Sequence, residues 1–168
     1  MQVNLLSIVN AEGRSLPIDA VLDFSDKNEY GIDFFKPVSV SGTFTNIAGS
    51  IEFCGKTEFT ARFMCDRCGE WFEESHSFEF SEILKKELDK ESDGDENPDI
   101  IFYEGHIIDI SDIIFNNIFM NLPSKYLCSE DCMGLCPHCG KNLNLEKCSC
   151  TDEVTDPRFD ILDNFFKD

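Results

Sequence analysis

The sequence predicts an α+β protein: a mainly antiparallel β-sheet or partly open barrel, a long packed helix, and a cysteine-rich C-terminal tail. Three observations carry this. Apolar residues alternate with period two from Val38 to Phe80; an apolar stripe of helical period runs from Ile110 to Leu122; eight of the nine cysteines fall into four close pairs. At 168 residues, 42% hydrophobic with 16 Phe, the chain can build a core without cysteine staples.

Taken in order, "VNLLSIV" (Val3–Val9) and "IDAVLDFS" (Ile18–Ser25) read as strands. "PVSVSGTFTNI", "TEFTARFMC" and "FEESHSFEF" then alternate on Val38, Val40, Gly42 and Phe44, on Phe59, Ala61, Phe63 and Cys65, and on Phe72, Glu74, His76, Phe78 and Phe80, the last with apolar ends and a polar middle. Turn residues at Ala48-Gly49-Ser50, Cys54-Gly55-Lys56 and Asp66-Arg67-Cys68-Gly69 separate them, as in an antiparallel meander with one buried face. Ser81–Leu88 reads as a short helix, and the stretch 87–99, with few apolar side chains, as an exposed acidic loop. "IIFYEGHIID" resumes extended structure around a hairpin tip at Glu104-Gly105. "DISDIIFNNIFMNLP" is the clearest helix, expected over about 111–122. Asp109 or Ser111 caps it, Ile110, Ile113, Ile114, Ile118 and Leu122 form its stripe, Phe115, Phe119 and Met120 broaden it, and Pro123 ends it. A last helix is expected in "DPRFDILDNFF", with Asp156 as cap, Pro157 at the first turn and Phe159, Leu162, Phe165 and Phe166 on its apolar side. Residues 1–127 are therefore expected to form a β-rich core domain carrying the acidic loop, and 128–168 a tail with its own helix.

The cysteine pairs are Cys65-x2-Cys68, Cys128-x3-Cys132, Cys136-x2-Cys139 and Cys148-x-Cys150. A tetrahedral Zn²⁺ takes four ligands, often delivered as two such pairs, so the expectation is two structural all-thiolate sites and a zinc-knuckle C-terminal tail. "CDRCG" and "CPHCG" both place Gly directly after the second Cys, where a knuckle turn needs positive φ so that backbone N–H groups can face the sulfurs. Three pairings of the doublets are possible. The economical one joins Cys136, Cys139, Cys148 and Cys150 locally and brings Cys65 and Cys68 to Cys128 and Cys132 past the helix. Cys54 has no partner and reads as a buried small hydrophobe beside a turn. "CPHC" also suits a thiol-disulfide oxidoreductase, but that chemistry wants the first Cys at a helix N-terminus, and "GKNLNLEKCSC" follows instead. His138 is expected to face solvent. Hydrolase, phosphate-loop, metalloprotease and dinucleotide motifs are missing, and zinc closed in by four thiolates has no open position, so a non-enzymatic scaffold is expected.

Charge narrows the partners. The net charge is −19, from 14 Lys+Arg against 33 Asp+Glu. Metal sites built of eight thiolates would deepen it, since two dications offset only half of them. Such a surface repels bare RNA at long range and attracts basic proteins, unless the acidity serves solubility alone. The N-terminal stretch lacks a basic region and a long apolar run, so a soluble, cytoplasmic protein without membrane contact is expected; reduced cysteines at C-x-x-C spacing favour metal there.

"CDRC" closing a strand, then "LPSKYLCSEDCMGLCPHCGKNLNLEKCSC", then "DPRFDILDNFF", resembles the YceD family of large-subunit rRNA accumulation proteins. The resemblance spans most of the chain and is most specific over Leu122 to Phe166. It implies a non-enzymatic part in large-subunit rRNA accumulation, in a family of bacteria and chloroplasts whose gene commonly neighbours that of a zinc-bearing large-subunit ribosomal protein. Cys65 and Cys68 match the family's widespread C-x-x-C, and the other six its fuller form, part of which some relatives lack. Taking Cys136 to Cys150 as an optional addition also favours joining Cys65 and Cys68 to Cys128 and Cys132. The resemblance transfers no RNA-contacting residue. Two expectations of contact follow. One is an acidic escort for a basic large-subunit ribosomal protein. The other is an assembly factor touching large-subunit rRNA or its precursor particle through the zinc modules, where Arg62, Arg67, Lys125, Lys141 and Lys147 lie among Asp66, Glu130, Asp131 and Glu146. Neither needs a small-molecule substrate.

Overall fold

The computed structural model describes residues 1–27, 31–87 and 100–150. The expected C-terminal helix and residues 88–99 of the acidic loop lie outside the described residues. The elements run β1 (Gln2–Asn4), α1 (Leu6–Val9), β2 (Ser15–Leu22), β3 (Ile32–Asp33), β4 (Val38–Ile47), β5 (Ser50–Met64), β6 (Trp71–Lys86), β7 (Ile100–Tyr103), β8 (Ile107–Asp109) and α2 (Ile110–Asn121). β2, β4, β5, β6 and β7 lie side by side in one sheet, with β3 added against β5, and β1 pairs separately with β8. All pairs are antiparallel except β6–β7, which is parallel. The sheet does not close into a barrel among the described residues.

The meander follows from its alternation. Val38, Val40, Phe44 and Asn46 of β4 and Ile51, Phe53, Thr57, Phe59, Ala61 and Phe63 of β5 are buried on one face. Slipping either strand by one residue would turn this row to solvent, so the register is strongly specified. Phe44 and Phe53 sit opposite each other and stack at 4.0 Å, with Phe80 edge-on to Phe53 at 4.8 Å. The two-residue turn Ala48-Gly49 has positive φ at both positions (51° and 90°), the twist a tight hairpin needs. Asn46, buried nearby, donates to the carbonyls of Ile8 and Val9 (2.7 and 3.0 Å) and so satisfies the end of α1, while its Oδ1 accepts from Gly49 N (3.1 Å).

Several local expectations are overturned. Cys54-Gly55-Lys56 is not a turn but runs on inside β5, where Gly55 faces Gly42 of β4. The pair serves close approach: a Cβ on Gly42 would lie 2.9 Å from the Phe53 ring, and one on Gly55 2.9 Å from the Phe80 ring and against the Ser41 carbonyl. Ser81–Lys86 continues β6 instead of turning helical, because Leu84 faces the core opposite Ile51 and the ladder with β7 engages Ile83 to Lys86. "VNLLSIV" divides into β1 and the single turn α1. Gly105 does turn the chain (φ 69°), but β7 and β8 do not pair with each other; one joins β6 and the other β1.

The long packed helix that the sequence predicts is not found at that length: α2 is a helix of three turns and twelve residues. Asp109 caps it, its side chain accepting from Ser111 N at 2.9 Å, and Leu122 is extended ahead of Pro123, which disfavours helical geometry before itself. Ile110, Ile113, Ile114 and Ile118 are buried, and Phe115 meets Phe24 and Phe34 at 5.4 and 6.1 Å, whereas Phe119 is exposed and Met120 is 85% exposed. The helix covers the inner face of the sheet, with Asn117 donating to Glu82 of β6 at 2.7 Å. The other face carries exposed Ser, Glu, Lys and Arg side chains.

Replacing Gly55 by Ala is expected to cost about 1–3 kcal/mol of stability in urea unfolding, because the methyl group has no room between two strands and a ring. A variant as stable as the parent would show that the strands do not approach this closely.

Candidate metal centres

The described sulfurs gather into two groups, Cys65, Cys68, Cys128 and Cys132, and Cys136, Cys139, Cys148 and Cys150, each with its sulfurs within 4.8 Å of one another. These are the groups that the economical pairing names. Separations of 3.8 Å (Cys65–Cys132), 3.7 Å (Cys68–Cys128) and 3.5 Å (Cys136–Cys148) are far beyond a disulfide bond of about 2.05 Å. They match the edge of a tetrahedron, about 3.8 Å, with metal–sulfur bonds of about 2.3 Å. The donor set fits one tetrahedral metal ion per group.

Both knuckles are built alike. Gly69 N donates to Cys65 O (2.9 Å) and Cys65 N to Glu70 O (2.9 Å); Gly140 N donates to Cys136 O (2.9 Å) and Cys136 N to Lys141 O (2.8 Å). Gly69 and Gly140 have φ of 72° and 73°, as their place after the second Cys predicts. The first knuckle is itself the turn between β5 and β6, closed by the Met64–Trp71 pair. The sheet therefore fixes where its sulfurs point.

The chain leaving α2 brings the other two ligands. Asp66 N donates to Tyr126 O (2.9 Å), Tyr126 N donates back to the Asp66 carboxylate (2.8 Å), and the Tyr126 ring stacks on Phe63 at 4.7 Å. Phe72 and Leu127 pack against the sulfurs, and Cys65, Cys68 and Cys132 are buried. Arg67 spans the join: its guanidinium donates to the carbonyls of Cys132 (3.0 Å) and Glu130 (3.3 Å), and its own carbonyl accepts from Leu135 N (3.1 Å). The second group is more open, with Cys136 buried, Cys148 and Cys150 half-buried and Cys139 exposed. His138 faces solvent, and Cys54, expected to be buried, lies exposed in mid-strand with its thiol 3.3 Å from Ser81 Oγ. Even numbers in a strand of odd core positions point outward, which decides its place.

Electrostatics favour charge balance by a cation. Burial pushes the Cys65 thiol up, but the N–H groups of Cys128, Cys68 and Arg67 outweigh it and bring it down to about 6. In the second group the N–H groups of Cys139 and His138 bring Cys136 to about 6. Their neighbours move oppositely. Cys128 is pushed up to about 12 by Cys132 and by burial, and Cys150 to about 12 by Cys139 and by burial. Each cradle thus suits negative sulfur, yet crowded thiolates oppose one another until a dication joins them.

Sequence reasoning missed the groups that frame the sulfurs. Asn144 donates to Cys132 Sγ at 3.3 Å and accepts from Met133 N at 2.8 Å. Asn in a loop signals a turn, and nothing in "NLNLEK" points to a cysteine twelve residues earlier. Arg67, expected as a candidate RNA contact, is spent on backbone carbonyls.

Cobalt titration is expected to saturate at two ions per chain with sulfur-to-cobalt charge-transfer bands. Cys65→Ser and Cys148→Ser should each leave one ion, and Cys54→Ser both. A single substitution that abolishes all binding, or none that changes it, would contradict two separate groups.

Residues 53–166 match the family model described as "Large ribosomal RNA subunit accumulation protein YceD", a span that contains both cysteine groups. A curated protein of Arabidopsis thaliana, "Large ribosomal RNA subunit accumulation protein YCED homolog 1, chloroplastic", is 30% identical over 126 residues, covering 60% of this chain and 39% of the relative. The chain thus aligns with well under half the length of that relative. No solved structure matches it. Among the described residues no helix is long and apolar enough to cross a membrane. With more than half of its length, the sheet's hairpin and both cysteine groups inside the match, the chain belongs to the YceD family.

Proposed function

We propose that this protein is a non-catalytic factor in large ribosomal subunit biogenesis that supports accumulation of large-subunit rRNA by holding a basic ribosomal protein. Of its two structural zinc ions, one, ligated by Cys65, Cys68, Cys128 and Cys132, staples the tail to the sheet, and the other, ligated by Cys136, Cys139, Cys148 and Cys150, closes a loop within the tail. The all-sulfur donor sets and their spacing support zinc, which favours four tetrahedral thiolates and in such a closed shell offers no position for substrate. The core of 1–127 serves as the acidic platform and 128–168 as the tail that carries the second metal site, in a reducing, cytoplasm-like compartment that keeps thiols free for metal.

The observation that carries the escort reading is how the positive charges are used. On the uncovered sheet face Lys56 pairs with Glu58 and stands opposite Glu79; Arg62 stands opposite Glu73 and pairs with Asp33 at 3.5 Å. Lys27 pairs with Asp112 at 2.9 Å, Lys141 with Glu146 at 3.2 Å, and Arg67 with backbone carbonyls. Among the described residues these five cations are engaged by acids or carbonyls rather than open to phosphate, and with acid in excess over the chain such a surface steers basic chains toward it. The direct-rRNA alternative rests on the exposed Lys125 and Lys147 beside the zinc modules. The oxidoreductase alternative rests on Cys136, but no helix begins there to activate it, and four sulfurs crowd where a redox pair needs two.

Immobilised protein is expected to retain basic large-subunit ribosomal proteins at low salt and to release them by about 0.5 M, where screening shortens to a few ångströms. Binding of ribosomal RNA stripped of protein, with basic proteins passing through, would favour the direct-rRNA reading instead.

A further inference from the structure

We infer that the two metal sites act on each other: closing the second cysteine group seats Asn144 as a hydrogen-bond donor on Cys132, so that metal held at the second site tightens metal at the first. The inference rests on both groups binding metal as proposed above, and it assigns a positioning role to a residue outside either ligand set.

Asn144 lies between Cys139 and Cys148, in the loop whose ends the second group ties together. Its amide orientation is fixed by chemistry. Met133 N can only donate, so Asn144 Oδ1 faces it at 2.8 Å, and Nδ2 is left to donate to Cys132 Sγ at 3.3 Å and to Asn142 Oδ1 at 2.9 Å. The backbone around it is tied to the first site as well. Leu143 N donates to Gly134 O at 2.9 Å, Leu135 bridges to Asn142, and the Asn142 side chain reaches Glu70 of the first knuckle at 3.5 Å. In the reverse direction Arg67, inside the first knuckle, accepts from Leu135 N, one residue before Cys136. A side chain on Gly134 would run into that Arg67 carbonyl, its Cβ at 2.9 Å, so the two loops are in direct contact.

A donor on a ligating thiolate stabilises its charged form and orients it, and loss of such outer partners typically weakens metal binding 10- to 100-fold. Coupling of this kind is reciprocal, so metal at the first site also favours closure of the second. Exposure adds an order of events. Each group has one exposed cysteine, Cys128 and Cys139, but the first buries its other three and the second only Cys136, so a chelator strips the second group first and leaves the first group weakened.

The test uses the full chain loaded with cadmium-113, whose resonance differs for each site, titrated with a competing chelator. Asn144→Ala is expected to keep both resonances and to lower the first site's affinity 10- to 100-fold. Cys148→Ser/Cys150→Ser should remove the second resonance and lower the first site's affinity by a similar factor. Adding Asn144→Ala to that variant should cost little more, since the donor is already unseated. First-site affinity within twofold of the parent in both variants, or full additivity of the two losses, would overturn the coupling while leaving metal binding intact. Failure of the parent chain to take up cadmium at all would overturn the metal reading and the coupling with it.

Discussion

The junction at the tip of the β5–β6 hairpin is the constraint on which the rest depends. Two ligands sit in the turn between the longest strands, and two on the chain leaving α2, sixty residues away between Cys68 and Cys128. Closing a loop of that length removes much freedom from the unfolded chain, and it does so where the sheet's inner face meets the helix that covers it. Tyr126 and Asp66 exchange hydrogen bonds beside the sulfurs, and Phe63 and Phe72 carry the contact into the core. The first cysteine group is therefore part of the core's boundary, and the second knuckle lies against it through Arg67 and Leu135.

Much of this was legible in the residues, and what was not has identifiable physical reasons. The meander showed in its alternation because one face is buried and the other wet. The eight sulfurs showed in their spacing, since a knuckle is a local structure with a glycine at a required dihedral angle. Cys54-Gly55-Lys56 misled because glycine marks both turns and close strand contacts, and only the facing Gly42 distinguishes them. Ser81–Lys86 has helical residue types, but its partners in β5 and β7 are distant in sequence and override local preference. Asn144 was invisible for the same reason: its role is set by a sulfur that only the folded loops bring near. The tail beyond Cys150 and the stretch 88–99 lie outside what the structure describes.

Acidity and metal fit together in the proposed role. A protein meant to hold a basic, RNA-seeking partner benefits from presenting acid in excess, with cations such as Lys56 and Arg62 paired to acids, and from a tail held in one shape. In the proposed role, zinc held by the two cysteine groups would supply that stiffness. The wiring of Lys56, Arg62, Arg67 and Lys141 to acids or carbonyls is what separates this surface from a phosphate-binding one.

The central claim is that the cysteines are structural metal ligands, one ion to each group of four. Native mass spectrometry of the purified chain, paired with a thiol titration before and after chelation, tests it most directly. The account predicts a mass increment of two zinc ions and a single reactive thiol, Cys54, until the chelator releases the other eight. A folded, metal-free chain with all its thiols reactive at the outset would contradict it.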